Sequence, residues 1–122
     1  MLPKKILIIE DDPNIQDIYK TTLEEAGYTV FQATTGQQGL SLISQSSPDL
    51  VLLDIMLPDN MNGFDILEKL KQSDTTKAIP VVILTNIESE SRTAKKIGAT
   101  DYIIKVNITP DQLVEKVKSY LS

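Results

Sequence analysis

Apolar and β-branched residues gather in five short runs at roughly even spacing: Ile6 to Ile9, Thr29 to Phe31, Leu50 to Leu53, Val81 to Leu84 and Tyr102 to Ile104. Several are almost unbroken, the pattern of strands buried on both faces in a parallel sheet. Between them, apolar positions recur at helical spacing. Ile15, Ile18, Tyr19, Leu23 and Ala26 predict a first helix that stops at Gly27. Leu40 and Ile43 mark a second helix, Phe64, Leu67 and Leu70 a third, and Ala94 and Ile97 before Gly98 a short fourth. Leu113, Val114, Val117 and Leu121 mark a fifth, and Thr109-Pro110-Asp111-Gln112 reads as a capping box at its start, with Pro at the first helical position. Strand and helix alternating in this way predict an α/β sandwich around a parallel sheet with right-handed crossovers. One domain over residues 1–122 accounts for the whole pattern.

In open α/β sheets, ligands bind beyond the carboxyl ends of the strands, so the residue that ends each run carries the most information. The first run ends in Glu10, Asp11 and Asp12, the third in Asp54, the fourth in Thr85 and the fifth in Lys105. The second ends in Ala33 and Thr34, without charge. Carboxylate oxygens are the ligands that Mg²⁺ prefers, and crowded carboxylates repel unless a cation neutralises them. A carboxylate can attack phosphorus to form an acyl phosphate, and phosphoryl transfer needs positioning and charge neutralisation above all. Taken singly, each residue has a plainer reading. Asp12 before Pro13 is a helix cap, Asp54 a turn former, Thr85 a cap and Lys105 a solvated charge. Their meeting at one edge of one sheet is what points to a site.

Composition narrows the chemistry further. The chain has 122 residues, enough to bury roughly two thirds of the surface its unfolded form exposes. It needs neither disulfides nor a structural metal to fold, and it contains no Cys. The absence of His removes Ser-His and Cys-His nucleophile pairs, and any phosphohistidine in its chemistry must belong to a partner. A formal net charge of −5 argues against direct binding to nucleic acid. No apolar run approaches the ~20 residues that span a membrane, and Met1 to Lys5 lack the features of a secretory signal, so a cytoplasmic location is expected.

The set Ile6-Leu7-Ile8-Ile9-Glu10-Asp11-Asp12, then Asp49 to Pro58 with Gly63, then Val81 to Thr85, then Gly98 to Lys105, resembles the receiver domain of bacterial two-component response regulators. The match runs over essentially the whole chain. The resemblance implies a five-stranded parallel sheet in the order 2-1-3-4-5, the flavodoxin-like (βα)5 arrangement. It implies that Asp54 is the phospho-acceptor, receiving its phosphoryl group from a histidine kinase or a His-containing phosphotransfer protein. It assigns Glu10, Asp11, Asp54 and the Met56 backbone carbonyl to a Mg²⁺ site, and Thr85 and Lys105 to the phosphoryl group. Thr85 and Tyr102 match the switch positions. The signal is then expected to leave through the face of helix four, strand five and helix five, where Arg92, Lys95, Lys96 and Lys116 form a basic patch. A downstream protein or a second copy of the chain would read that face. Because the sequence stops after the fifth helix, a stand-alone, single-domain regulator is expected.

Four departures from the family stand out. The loop from Pro58 to Gly63 is about one residue longer than usual, and Asn86 follows Thr85 where the family has a small residue. The stretch from Thr85 to Lys105 is about two residues short, which predicts a truncated or reshaped fourth helix. Val106 replaces a Pro that is often cis, so a trans bond is expected. Three other readings compete. Phosphatases of the haloacid dehalogenase type carry a second Asp two positions after the nucleophile, where this chain has Met56, which moves no protons. A flavodoxin-like nucleotide binder needs a loop of backbone N–H groups after strand one, and Glu10, Asp11 and Asp12 would repel phosphate there. A receiver-like module that only binds partners, independent of phosphorylation, would normally lack part of the acidic set.

Overall fold

The computed structural model describes residues 2–121. The apolar runs are strands: β1 (Lys5–Ile9), β2 (Thr29–Ala33), β3 (Leu50–Leu53), β4 (Val81–Thr85) and β5 (Asp101–Ile104). The helices are α1 (Pro13–Glu25), α2 (Gly36–Ser46), α3 (Gly63–Gln72), α4 (Ser91–Ile97) and α5 (Pro110–Leu121). The strands pair in parallel in the order β2-β1-β3-β4-β5.

The twofold period of a strand sends alternate side chains to opposite faces. Ile6 and Ile8 of β1 join Leu50, Leu52, Val82 and Leu84 on one face, covered by Tyr19 and Leu23 of α1 and Leu113 and Val117 of α5. Leu7 and Ile9 join Val51, Leu53, Val81 and Ile83 on the other face, covered by Ile43 of α2, Ile66 and Leu67 of α3 and Ala94 of α4. Fully burying one such Leu or Ile stabilises the fold by about 1.5–3 kcal/mol. The central strands therefore read as unbroken apolar runs because both of their faces are core.

Side chains end the helices as their sequences suggest. Asp12 caps α1, its carboxylate accepting from the N–H groups of Asn14 at 2.8 Å and Ile15 at 3.3 Å. Asn62 and Asp65 form a reciprocal capping box on α3. Thr109 and Gln112 do the same before α5, at 2.9 and 3.2 Å. Helix α4 is the exception. It has seven residues, buries Ala94, and has no side-chain bond at its N-terminus. The fourth helix is thus short, as the shortened stretch predicts.

Two local expectations need correction. Ile18 is 50% exposed, although the spacing put it on the core stripe of α1. At roughly 100° per residue, Ile15, Tyr19, Leu23 and Gln16 share one arc and Ile18 lies about 120° from its centre. The buried polar residue on that arc is Gln16. Lys105 does not end β5 in extended backbone but opens a 3-10 turn, Lys105–Asn107. No peptide bond among the described residues is cis, so the bond before Val106 is trans as expected. No helix among the described residues is long and apolar enough to cross a membrane.

Candidate functional site

The β1–β3 register sets Ile9 against Leu53, so the residues that follow them, Glu10 and Asp54, emerge side by side. The Asp54 N–H continues the ladder to the Ile9 carbonyl at 3.0 Å. The β4–β5 register sets Thr85 against Ile104, which places Lys105 one step beyond that pair. The site lies where the strand order reverses around β1, the crevice that open α/β sheets offer to ligands.

Glu10 and Asp54 are buried, at 3% and 6% exposure, and Asp11 is exposed. Carboxylate oxygens of Glu10, Asp11 and Asp54 lie within 4.8 Å of one another. Ligands on opposite sides of a Mg²⁺ ion sit about 4.2 Å apart, so these hard oxygen donors suit that ion in chemistry and stand near enough to close around it with small shifts. Lys105 reaches into the same cluster. Its Nζ lies 2.6 Å from Asp54 Oδ2 and also bonds Glu10 Oε1. Burial pushes the Glu10 carboxyl above its ordinary value, and the hydrogen bonds from Lys105 and from the Asp12 N–H offset this only in part. Burial opposes the Lys105 ammonium, but its bonds to Asp54 and Glu10 prevail and hold its pKa above the usual lysine value.

The loop after β3 folds back over Asp54. The Met56 N–H donates to Asp54 Oδ1 at 3.3 Å while the Met56 side chain is 65% exposed. The Gly63 N–H donates to the Ile55 carbonyl at 2.8 Å. A Cβ on Gly63 would stand 2.2 Å from the Asp54 carbonyl oxygen and 2.8 Å from Ile55 Cα, so only glycine permits this approach. The longer loop also acquires a contact of its own. The Asp59 carboxylate accepts from the N–H groups of Gly36 at 3.1 Å and Gln37 at 3.0 Å, at the N-terminus of α2. The Gln37 N–H, aided by that of Gly36, lowers the Asp59 pKa.

On the other side of the crevice, buried Thr85 accepts from the Ile87 N–H at 3.3 Å. The half-buried Tyr102 donates its hydroxyl proton to the Ile87 carbonyl. One residue, Ile87, therefore joins Thr85 to Tyr102. Asn86 Oδ1 accepts from the Val106 N–H at 3.1 Å, a bond that a proline at that position could not make. Arg92, Lys95, Lys96 and Lys116 are all exposed, and Lys116 Nζ lies 3.7 Å from Asp101 Oδ2. A groove of about 540 Å³ runs past Tyr102, Ile104, Ile108 and Lys116.

The structure thus brings Glu10, Asp11, Asp54, Thr85 and Lys105 to one rim, with Met56 against Asp54 and Tyr102 one residue removed through Ile87. Sequence reasoning missed Gln16, Asp59 and the Asn86–Val106 bond. A glutamine on an apolar helical face was a visible signal for the first. The partners of the other two are set by tertiary packing alone.

Comparison with known proteins agrees with this arrangement. The model of the response regulator receiver domain matches residues 6–118. The DNA-binding dual master transcriptional regulator RpaA of Synechocystis is 38% identical over 119 residues, 96% of this chain and 48% of that protein. The chain spans about half the length of the first curated relatives it matches. Protein PilH of Pseudomonas aeruginosa is 36% identical over 97% of this chain and 98% of its own length. Among solved structures, a CheY-like receiver domain protein of Methanospirillum hungatei has a TM-score of 0.90 at 36% identity, covering 98% of this chain and 94% of that one. The BeF3-activated receiver domain of Klebsiella pneumoniae RstA has a TM-score of 0.88 at 31% identity, covering 97% and 98%. With the strand order, the acidic rim and these matches in agreement, the chain belongs to the response regulator receiver domain family.

Proposed function

We propose that residues 1–122 act as one receiver domain in which the Asp54 carboxylate accepts a phosphoryl group from a phosphohistidine on a histidine kinase or a His-containing phosphotransfer protein. Receiver domains are signalling domains that bind Mg²⁺ at an acidic pocket and interact with histidine kinases or phosphotransfer proteins and with downstream effectors. The observation that carries the reading for this chain is the convergence of Lys105, buried Asp54 and Glu10, and exposed Asp11 at one point of the rim.

In the transfer, an Asp54 oxygen forms a bond to phosphorus as the P–N bond of the donor breaks. The imidazole nitrogen keeps the electron pair and takes a proton. Glu10, Asp11, Asp54 and the Met56 carbonyl would hold Mg²⁺, which supplies charge neutralisation to the phosphoryl oxygens. Lys105 moves its ammonium from the Asp54 carboxylate to a phosphoryl oxygen, and the Thr85 hydroxyl donates to another. The expected result with acetyl phosphate is a gain of one phosphoryl group, seen by intact-mass analysis and dependent on Mg²⁺. No gain, or an equal gain in chelator, would defeat the proposal. A receiver-like module that acts without phosphorylation would also give no gain.

The output follows from Ile87. If Thr85 turns toward the phosphoryl group, the contact it accepts from Ile87 changes, and Ile87 is the residue that holds the Tyr102 hydroxyl. The added charge of about two units is large enough to reorganise such contacts. The face of α4, β5 and α5, with its exposed basic residues and the adjoining groove, is then the surface that a downstream protein or a second copy reads. Beryllofluoride with Mg²⁺ should alter amide hydrogen exchange across residues 88–106 and in α5. Changes confined to the loops around Asp54 would rule this face out.

A further inference from the structure

The core side of α1 carries one polar side chain that the phosphoryl chemistry leaves unused. Gln16 is 3% exposed. Its Nε2 stands 3.1 Å from the Ile8 carbonyl oxygen, 3.0 Å from that of Glu10 and 2.9 Å from that of Ala33. A primary amide has two N–H donors, so these acceptors share them at the point where β1, β2 and the acidic turn meet. The amide cannot turn over freely. Gln32 Nε2 donates to Gln16 Oε1 at 3.1 Å and to the Gln16 backbone carbonyl at 3.2 Å. Oxygen therefore faces Gln32 and nitrogen faces the carbonyls.

Gln16 also grips the acidic turn at a second point. Its backbone N–H donates to the Asp12 carbonyl at 3.0 Å, while its side chain holds the Glu10 carbonyl. The Glu10 N–H is bonded to the Ala33 carbonyl at 3.0 Å, and that same carbonyl accepts from Gln16. Asp11 thus follows a peptide carbonyl held by the Gln16 side chain and precedes Asp12, whose carbonyl takes the first backbone hydrogen bond of α1. Its side chain is exposed, so its direction depends on that backbone.

We propose that Gln16, oriented by Gln32, is a positioning residue for the cation site: it fixes the turn on which Glu10 and Asp11 stand, so that their carboxylates converge on Asp54. This inference rests on the reading of the acidic rim as a Mg²⁺ site. The competing account is that Gln16 only satisfies buried carbonyls and docks α1. The two accounts differ in what happens to metal affinity when stability falls.

The test compares Gln16→Met, close in length but without donors, with Leu23→Ala, a fully buried position on the same helix that makes none of these bonds. Mg²⁺ affinity is read from amide chemical shifts of the folded protein, and stability from thermal unfolding. Gln16→Met is expected to weaken Mg²⁺ binding about tenfold, as loss of an outer support does at metal sites. Labelling by acetyl phosphate should slow at low Mg²⁺ and recover at saturating Mg²⁺. Leu23→Ala should lower the melting temperature while leaving affinity within about twofold of wild type, because it supports no ligand. Gln32→Met should shift affinity in the same direction by a smaller factor, and it carries the test if Gln16→Met does not fold. Unchanged affinity in folded Gln16→Met, or in folded Gln32→Met where the first variant does not fold, overturns the inference and leaves the site reading standing. A wild-type protein that takes no Mg²⁺ overturns both.

Discussion

Asp54→Asn is expected to abolish phosphoryl labelling while leaving the fold intact. The carboxylate is the group whose oxygen would attack phosphorus, and a carboxamide oxygen is a far weaker nucleophile with no charge to give. The loss should be complete rather than partial: the other buried carboxylate bonded to Lys105, that of Glu10 just beyond β1, has its remaining oxygen held by the Asp12 N–H at 3.0 Å. Stability should change little. The Asn oxygen can keep one of the two bonds, from Lys105 or from the Met56 N–H, Lys105 retains Glu10 as a partner, and one charge leaves a cluster of carboxylates that repel one another. A change within about 1 kcal/mol is expected. Intact mass after acetyl phosphate and Mg²⁺, with a thermal melt of the same sample, checks both parts. Labelling at the wild-type level in this variant would move the acceptor elsewhere.

Gly63→Ala should be the most damaging of the glycine-to-alanine changes. The new Cβ would meet the Asp54 carbonyl oxygen at 2.2 Å, Ile55 Cα at 2.8 Å and the Asp54 carbonyl carbon at 2.9 Å. All three are backbone atoms, so no side-chain rotation relieves the clash. Overpacking in a core costs about 1–3 kcal/mol and sometimes more, and a backbone clash of this depth belongs at the upper end. Alanine's better helix propensity at the start of α3 offsets at most about 1 kcal/mol. The net result should be a fall in melting temperature of roughly 5–10 °C for a chain of this size. The movement needed to relieve the clash runs through Asp54 and Ile55, so labelling should also slow in the folded fraction. A melting temperature equal to wild type would mean that the loop has slack the geometry does not reveal.

The sheet was legible in the sequence because β1, β3 and β4 are buried on both faces, and such strands cannot hide among polar residues. The acidic rim was legible for a related reason: strand ends lie at one edge once the strands are parallel, so Glu10, Asp11, Asp54, Thr85 and Lys105 could be gathered without coordinates. What escaped depends on the third dimension. Ile18 fits a helical repeat when taken with Ile15, yet the arc that faces the sheet is centred nearer Tyr19. Asp59 finds its donors at Gly36 and Gln37 only because α2 and the loop after β3 meet across the top of the sheet. The 3-10 turn at Lys105 replaces the family's proline geometry, and the Asn86–Val106 bond that steadies it links two loops with no local signature.

The contacts of Lys105 join residues far apart along the chain: 95 positions separate it from Glu10 and 51 from Asp54. Contacts of such long range are reached only after much chain entropy has been given up, so they form late. During synthesis, the three carboxylates leave the ribosome well before their ammonium partner. A chain cut short before residue 105 carries the acidic cluster without its built-in counter-charge. Completion of the rim therefore coincides with completion of the sheet, because Lys105 directly follows β5.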